Sequence, residues 1–277
     1  PLTPLTPLTL HPPPCSPRSP AASPVSLRPQ FFHNTPVILV SELDGVRVIG
    51  IQATEILQRV PDETEQIFKP GSIAPAARLL EASEAYVQQS ARSDELLRSL
   101  GDDLAPAINT CIRAAQQELS ETSQQQLMRA ASFGKCYAET SDASLFVRTC
   151  KQLRVLNALR GPEAGMAITW QQYESLGARR ILHRLLAHHQ HLLAMRLANF
   201  LRLSGMQAVV THHWGCERIH AAPVSVEDAV LLGELMPKLQ ACAGVALTEV
   251  ASEAHRVGRR TLATLLLEHE KIPALQV

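Results

Sequence analysis

Residues Arg129–Tyr173 read RAASFGKCYAETSDASLFVRTCKQLRVLNALRGPEAGMAITWQQY, and this stretch decides the fold. Within it Phe146, Cys150, Leu153 and Asn157 recur at steps of three and four, and Leu145, Thr149, Leu156 and Leu159 widen the stripe. That period lines one face of a helix, and a face this broad needs cover from neighbouring helices. A helical pattern precedes it across a short turn, and a third begins after Gly161-Pro162, a pair that ends helices. The expected unit is helix against helix, with partners on both sides.

Composition agrees. The 277 residues are enough for one large or two modest domains at ~150 residues each. Hydrophobic residues make up 45% of the chain but aromatics only 4%, which favours Leu- and Ala-rich helix packing over a sandwich or barrel. Lys plus Arg and Asp plus Glu number 26 each, so no net field draws the chain to nucleic acid or an anionic bilayer. The six cysteines (Cys15, Cys111, Cys136, Cys150, Cys216, Cys242) show no CxxC and no regular spacing. Four of them sit where a helix turns its apolar side, so a reducing compartment without a disulfide framework is expected. No run reaches the ~18 apolar residues that span a bilayer, and no basic region followed by an apolar core marks a signal peptide. A soluble cytosolic chain is expected, with membranes met only through partners.

Residues 1–36 hold 11 of the 19 prolines, including the triplicated PLT of Pro1–Thr9 and Pro12-Pro13-Pro14. Proline removes backbone donors and fixes φ, which predicts a disordered segment of polyproline II character. It reads as a linker or as a ligand for an SH3-like groove, and a chain starting at Pro rather than Met reads as a piece of a longer one. Residues 37–51 predict a β-hairpin: VILVSE and VRVIGI flank Leu43-Asp44-Gly45, where Asp-Gly offers the positive φ of a tight turn. A lone hairpin is marginal in water, so this one is expected to pack on the first helices or to be poorly ordered.

From 52 to 277 the pattern is helix after helix, expected as an irregular α-solenoid of stacked hairpins, with an irregular all-α domain of the same helix pairs as the alternative, broken at Pro61, Pro70-Gly71, Pro75, Gly101, Pro106, Gly161-Pro162, Gly177, Gly205, Pro223, Gly244 and Gly258. Thr169 with Gln172 fits a capping box, Ser225 with Asp228 is a looser one, and Pro75 suits a first helical turn. The segments His191–Leu197 and Arg260–Leu266 echo each other, each placing Leu-Ala at the start of an apolar helix. Small residues there allow the close approach of stacked α-hairpins.

Histidines alone invite an enzymatic or metal reading. His183, His188, His189 and His191 cluster, and His212, Cys216 and His220 fall at four-residue steps, one helical face that could offer nitrogen and sulfur to zinc. A fourth ligand and an HExxH-type base are missing, and Gly215 weakens the aligning helix. Solvent-facing or packing histidines, with Cys216 in the core, fit better. GxSxG, GxGxxG and a complete phosphate loop are all absent. Arg154, Arg160, Arg179, Arg180, Arg184, Arg259 and Arg260 are interleaved with acids elsewhere and read as solvated faces and interhelical salt bridges. No catalytic, cofactor-binding or metal residue is assigned, and no cofactor is expected.

The words AASFGKC, LRVLNALR and ITWQQYESLG within residues 130–177 resemble the vacuolar protein sorting sixteen family, a core subunit shared by the HOPS and CORVET endosomal tethering complexes. ELDGVRVI (Glu42–Ile49), LLEASEAY (Leu79–Tyr86) and TLATLLLEHE (Thr261–Glu270) extend the resemblance in order along nearly all of the chain after the proline tract. It implies that the hairpin ends a β-propeller and that the helices begin a C-terminal solenoid. It also implies a scaffold, not an enzyme, in membrane tethering and fusion at late endosome, vacuole or lysosome. The implied partners are other HOPS and CORVET core subunits and a Sec1/Munc18-family subunit, whose main docking segment is expected downstream of Val277, with SNAREs met indirectly. No residue carries over as a partner contact, because the matching words carry helix packing. The same stacked hairpins would also serve an adaptor of another trafficking coat.

Overall fold

The computed structural model describes residues 35–138 and 143–270. The Pro-rich segment expected over 1–36 lies almost wholly outside the described residues. Those residues form a small sheet followed by 13 α-helices, so the chain is mostly α. The chain divides into two compact units at Gln172/Tyr173, where the sequence pattern runs on as a single helical stretch.

The first unit opens with three antiparallel strands in the order β1 (Ile38–Ser41), β2 (Gly45–Ile49) and β3 (Thr54–Gln58). The hairpin is where the sequence puts it, but β3 is a correction to the helical expectation from residue 52. Thr54–Gln58 pairs with Gly45–Ile49 along its whole length. A second correction concerns Gly45. Its φ is not positive; it opens β2, and a Cβ there would collide with the Leu57 carbonyl oxygen. Close approach of β3, and not turn geometry, requires glycine at this position.

Seven helices follow, α1 (Asp62–Phe68), α2 (Pro75–Val87), α3 (Arg92–Arg98), α4 (Leu104–Gln117), α5 (Glu121–Lys135), α6 (Ala143–Arg160) and α7 (Trp170–Leu176), the last crossing the boundary between units. Pro75 is the first residue of α2, as expected. Pro106 is not a break: it is the third residue of α4, where its missing N–H would have had no helical partner. Helix α2 packs on α3, α4 and α5, α4 on α5, and α6 on α4. Leu79, Ile112, Leu127, Leu156 and Leu159 are fully buried among them. Along α6 the stripe holds at Thr149, Leu153, Leu156 and Leu159 and adds Val155, while Phe146, Cys150 and Asn157 are half-buried at its margin. Gly134 lets α5 close on its neighbours, since a Cβ would lie 2.9 Å from Ile108 and 3.1 Å from Leu79.

The second unit comprises α8 (Ala178–Ala187), α9 (His191–Phe200), α10 (Met206–Ala221), α11 (Asp228–Ala241), α12 (Leu247–Arg256) and α13 (Arg260–Glu268). Its helices pack mainly on those one or two places away in sequence, the pattern of stacked α-hairpins. The two echoing segments begin α9 and α13. Gly215 does not interrupt α10; a Cβ there would meet Leu239 at 3.3 Å, so it marks a close helix crossing.

One device closes four helices. The chain turns left-handed at Gln89, His189, Arg202 and Gly258. The next amide reaches back to the helix: Ser90 N to Ala85 O at 2.9 Å, Gln190 N to Leu185 O at 2.9 Å, Leu203 N to Ala198 O at 3.0 Å and Arg259 N to Ala254 O at 2.9 Å. This is the Schellman closure, which satisfies carbonyls at a helix end.

Candidate functional site

The polar groups that sequence reasoning singles out fall into two settings. In the first unit the hairpin turn is bonded to a segment more than 120 residues away. The capping box forms: Thr169 N donates to Gln172 Oε1 at 3.4 Å and Gln172 N to Thr169 Oγ1 at 3.3 Å. Both side chains then donate to the turn, Thr169 Oγ1 to Asp44 Oδ2 at 2.5 Å and Gln172 Nε2 to Asp44 Oδ1 at 2.9 Å. Glu42 pairs with Arg47, which keeps its carboxyl below the usual range, and Arg47 Nη2 donates to Ala167 O at 2.8 Å. The hairpin is thus held by residues 167–172, a correction to the expectation that it rests on the first helices.

In the second unit the histidines meet in pairs. His191 Nε2 and His213 Nδ1 are 2.9 Å apart, with ring centroids at 5.1 Å. His189 lies beside both rings and pairs with Glu217 at 3.2 Å. Burial, together with the neighbouring imidazoles, lowers the pKa of His191 and His213, which favours the neutral rings their mutual hydrogen bond needs. His183 and His188 take no place in that contact.

The His212, Cys216 and His220 face is divided by its partners. His212 Nε2 is 3.6 Å from Cys216 Sγ and 3.5 Å from Glu249, whereas His220 bonds Glu253, which Arg256 also holds. Those bonds pull the Glu253 carboxyl down to about 2. Cys216 is half-buried and not in the core, and burial with the nearby acids Glu253, Glu217 and Glu249 pushes its thiol up to about 11. A thiol so held stays protonated at neutral pH and is a poor nucleophile. Among the described residues no three His, Cys, Asp or Glu side chains are grouped to hold a metal ion. Among the described residues Cys111 is the buried cysteine, its thiol pushed by burial up to about 12; Cys136 is exposed, and Cys150 and Cys242 are intermediate.

Two charged residues serve roles the sequence did not announce. Asp228 does not pair with Ser225 as a cap; it accepts from Thr261 and from Leu262 N at 3.1 Å, capping α13, and binds Arg259 at 2.7 Å. Arg259 also donates to the carbonyls of Val226, Ala222 and Pro223. Arg160 is not on a solvated face. Burial lowers its pKa to about 10, and its Nε donates to Ile168 O at 2.9 Å. Asn157 Nδ2 meanwhile donates to Gln124 Oε1 at 2.8 Å.

The small sheet also turns apolar side chains outward. Ile38, Leu39, Leu43 and Ile51 are each more than 60% exposed, and all four residues of β1 are exposed; among the described residues no strand pairs with its outer edge. Among the described residues no helix is long and apolar enough to cross a membrane.

These features define a class: a mostly α-helical chain with a small antiparallel sheet, in which several of the polar residues singled out from the sequence are engaged in joints and caps. A family model described as the Vps16 N-terminal region matches residues 22–148. Protein VACUOLELESS1 of Arabidopsis thaliana is 42% identical over 247 residues, 89% of this chain and 28% of that protein. The vacuolar protein sorting-associated protein 16 homolog of Dictyostelium discoideum is 38% identical over 90% of this chain, and the Saccharomyces cerevisiae protein of that name 28% identical over 84%. The chain belongs to the Vps16 family. It spans just under a third of the length of these relatives.

Proposed function

We propose that this chain acts in vacuolar protein sorting as a non-enzymatic scaffold of a HOPS- or CORVET-type tethering complex, working peripherally on the late endosome, vacuole or lysosome. The carrying observation is kinship with Vps16 proteins over about nine-tenths of the chain. In this reading residues 37–51 and β3 end a β-propeller, which accounts for the bare apolar edge of β1, and the helices from Asp62 onward begin the C-terminal solenoid. Partners are the other core subunits and a Sec1/Munc18-family subunit, with SNAREs engaged through them and membranes through the assembly. Its contribution is geometry: apolar anchors with polar rims presented at fixed spacing.

Affinity purification of the tagged chain from cells tests this. Tether core subunits are expected to co-purify in stoichiometric amounts. Recovery of coat proteins without tether subunits would replace the reading with that of a coat adaptor.

A further inference from the structure

Two histidines on different helices bring ring nitrogens together. His191 opens α9 and His213 lies in α10, with His191 Nε2 and His213 Nδ1 2.9 Å apart. Both residues are half-buried, so solvent and small ions still reach the pair. The His191 ring also bonds the backbone of His189, the kind of second contact that fixes the orientation of a metal-ligating imidazole. Glu217 lies near enough to both rings to place negative charge on the pair, and it holds His189 at 3.2 Å.

The spacing of the pair is that of two ligands on one ion. At ~2.0–2.1 Å per metal–nitrogen bond, nitrogens 2.9 Å apart subtend about 90° at the ion, the angle between neighbouring ligands in tetragonal Cu(II) and Ni(II) sites. Ring centroids of neighbouring imidazoles on one ion lie about 4.5–5.2 Å apart at those bond lengths, and those of His191 and His213 are 5.1 Å apart. His189, at 6.2 and 6.5 Å from the two rings, falls outside that range. The protein ligands are therefore two imidazoles, with water in the remaining positions. Burial keeps both rings neutral near pH 7, the form that binds metal. The proton they share passes to His213 Nε2 on binding, so both facing nitrogens offer lone pairs and no proton is released.

We propose that His191 and His213 form a binding site for a divalent transition ion that favours imidazole, copper foremost, which ties the start of α9 to α10. Two coordinate bonds then replace one hydrogen bond between neighbouring hairpins, and the joint stiffens. Nothing in this depends on the role in vacuolar sorting.

Copper(II) chloride titrated into the purified full chain at neutral pH, followed by calorimetry, tests this. A single ion per chain is expected in the tightest phase, and its electron paramagnetic resonance spectrum should carry the splitting of two imidazole nitrogens. His191→Gln and His213→Gln should each weaken that phase by about tenfold or more, the loss of one of two ligands. His188→Gln, outside the pair, should leave it unchanged. Circular dichroism without metal shows whether the variants fold, and the nitrogen count is read on the unaltered chain and does not depend on them. A tightest phase that keeps its affinity in both variants, any other nitrogen count, or no saturable binding would each overturn the proposal.

Discussion

Strand β1 and helix α6 each carry a set of large apolar side chains, yet the two sets meet opposite fates. Ile38 and Leu39 of β1 are 66% and 65% exposed, whereas Leu156 and Leu159 of α6 are fully buried. Both were recognisable in the sequence, the strand from an apolar run beside the Asp44-Gly45 turn signal and the helix from its 3.6-residue period. Period fixes the element, but burial is decided by what else is present. Helix α6 finds α4 beside it, while β1, among the described residues, pairs with β2 on one edge and keeps all four of its residues exposed. An apolar edge strand with exposed faces is a template for pairing with another strand.

Variants can break or sharpen that contrast. The largest effect is expected for Leu156→Asp, which buries an unpaired carboxylate and should cost about 4 kcal/mol or more, enough to melt the first unit. Circular dichroism melting checks it, and a curve like wild type would show that α6 faces another way. Next is Gly134→Leu, which forces a side chain between α5 and the Ile108 and Leu79 groups only 2.9 and 3.1 Å from its Cβ. Overpacking of this kind should destabilise by about 2 kcal/mol in urea titration.

A third expected effect is confined to the second unit. His191 and His213 have pKa values below the ordinary 6.5, so between the folded and unfolded values the unfolded chain binds more protons. Stability should therefore fall as pH drops below about 6.5, and His191→Gln should flatten that dependence. The smallest effect is the mirror of the first. Leu39→Lys on the bare strand should change stability by less than about 0.5 kcal/mol while reducing aggregation, because the side chain leaves no contact behind. A large loss there would mean that β1 is covered after all.

The helices, the hairpin, the Thr169 and Gln172 capping box and the burial of Leu156 were legible because each follows from local spacing. Strand β3 was missed because TEILQ is short and lacks an alternating pattern strong enough to separate strand from helix. The closures at Gln89, His189 and Arg202 were invisible because the residues that usually mark a left-handed turn are Gly and Asn; only Gly258 announced itself. Arg160 and Asp228 misled for a different reason. A charged residue's burial depends on carbonyls and caps contributed from distant positions, as Ile168 and Leu262 are here. The histidine pairing of His191 with His213 joins two helices and leaves no spacing signal in either.

The most direct test of the scaffold account is a chimera. In the Saccharomyces cerevisiae relative, the 238 matched residues would be replaced by those of this chain, and delivery of a vacuolar cargo measured in cells lacking the native protein. The account predicts that delivery is restored and is lost again when Leu156→Asp is added. A chimera that accumulates to normal levels but sorts nothing, or one that sorts equally well with Leu156→Asp, would contradict it.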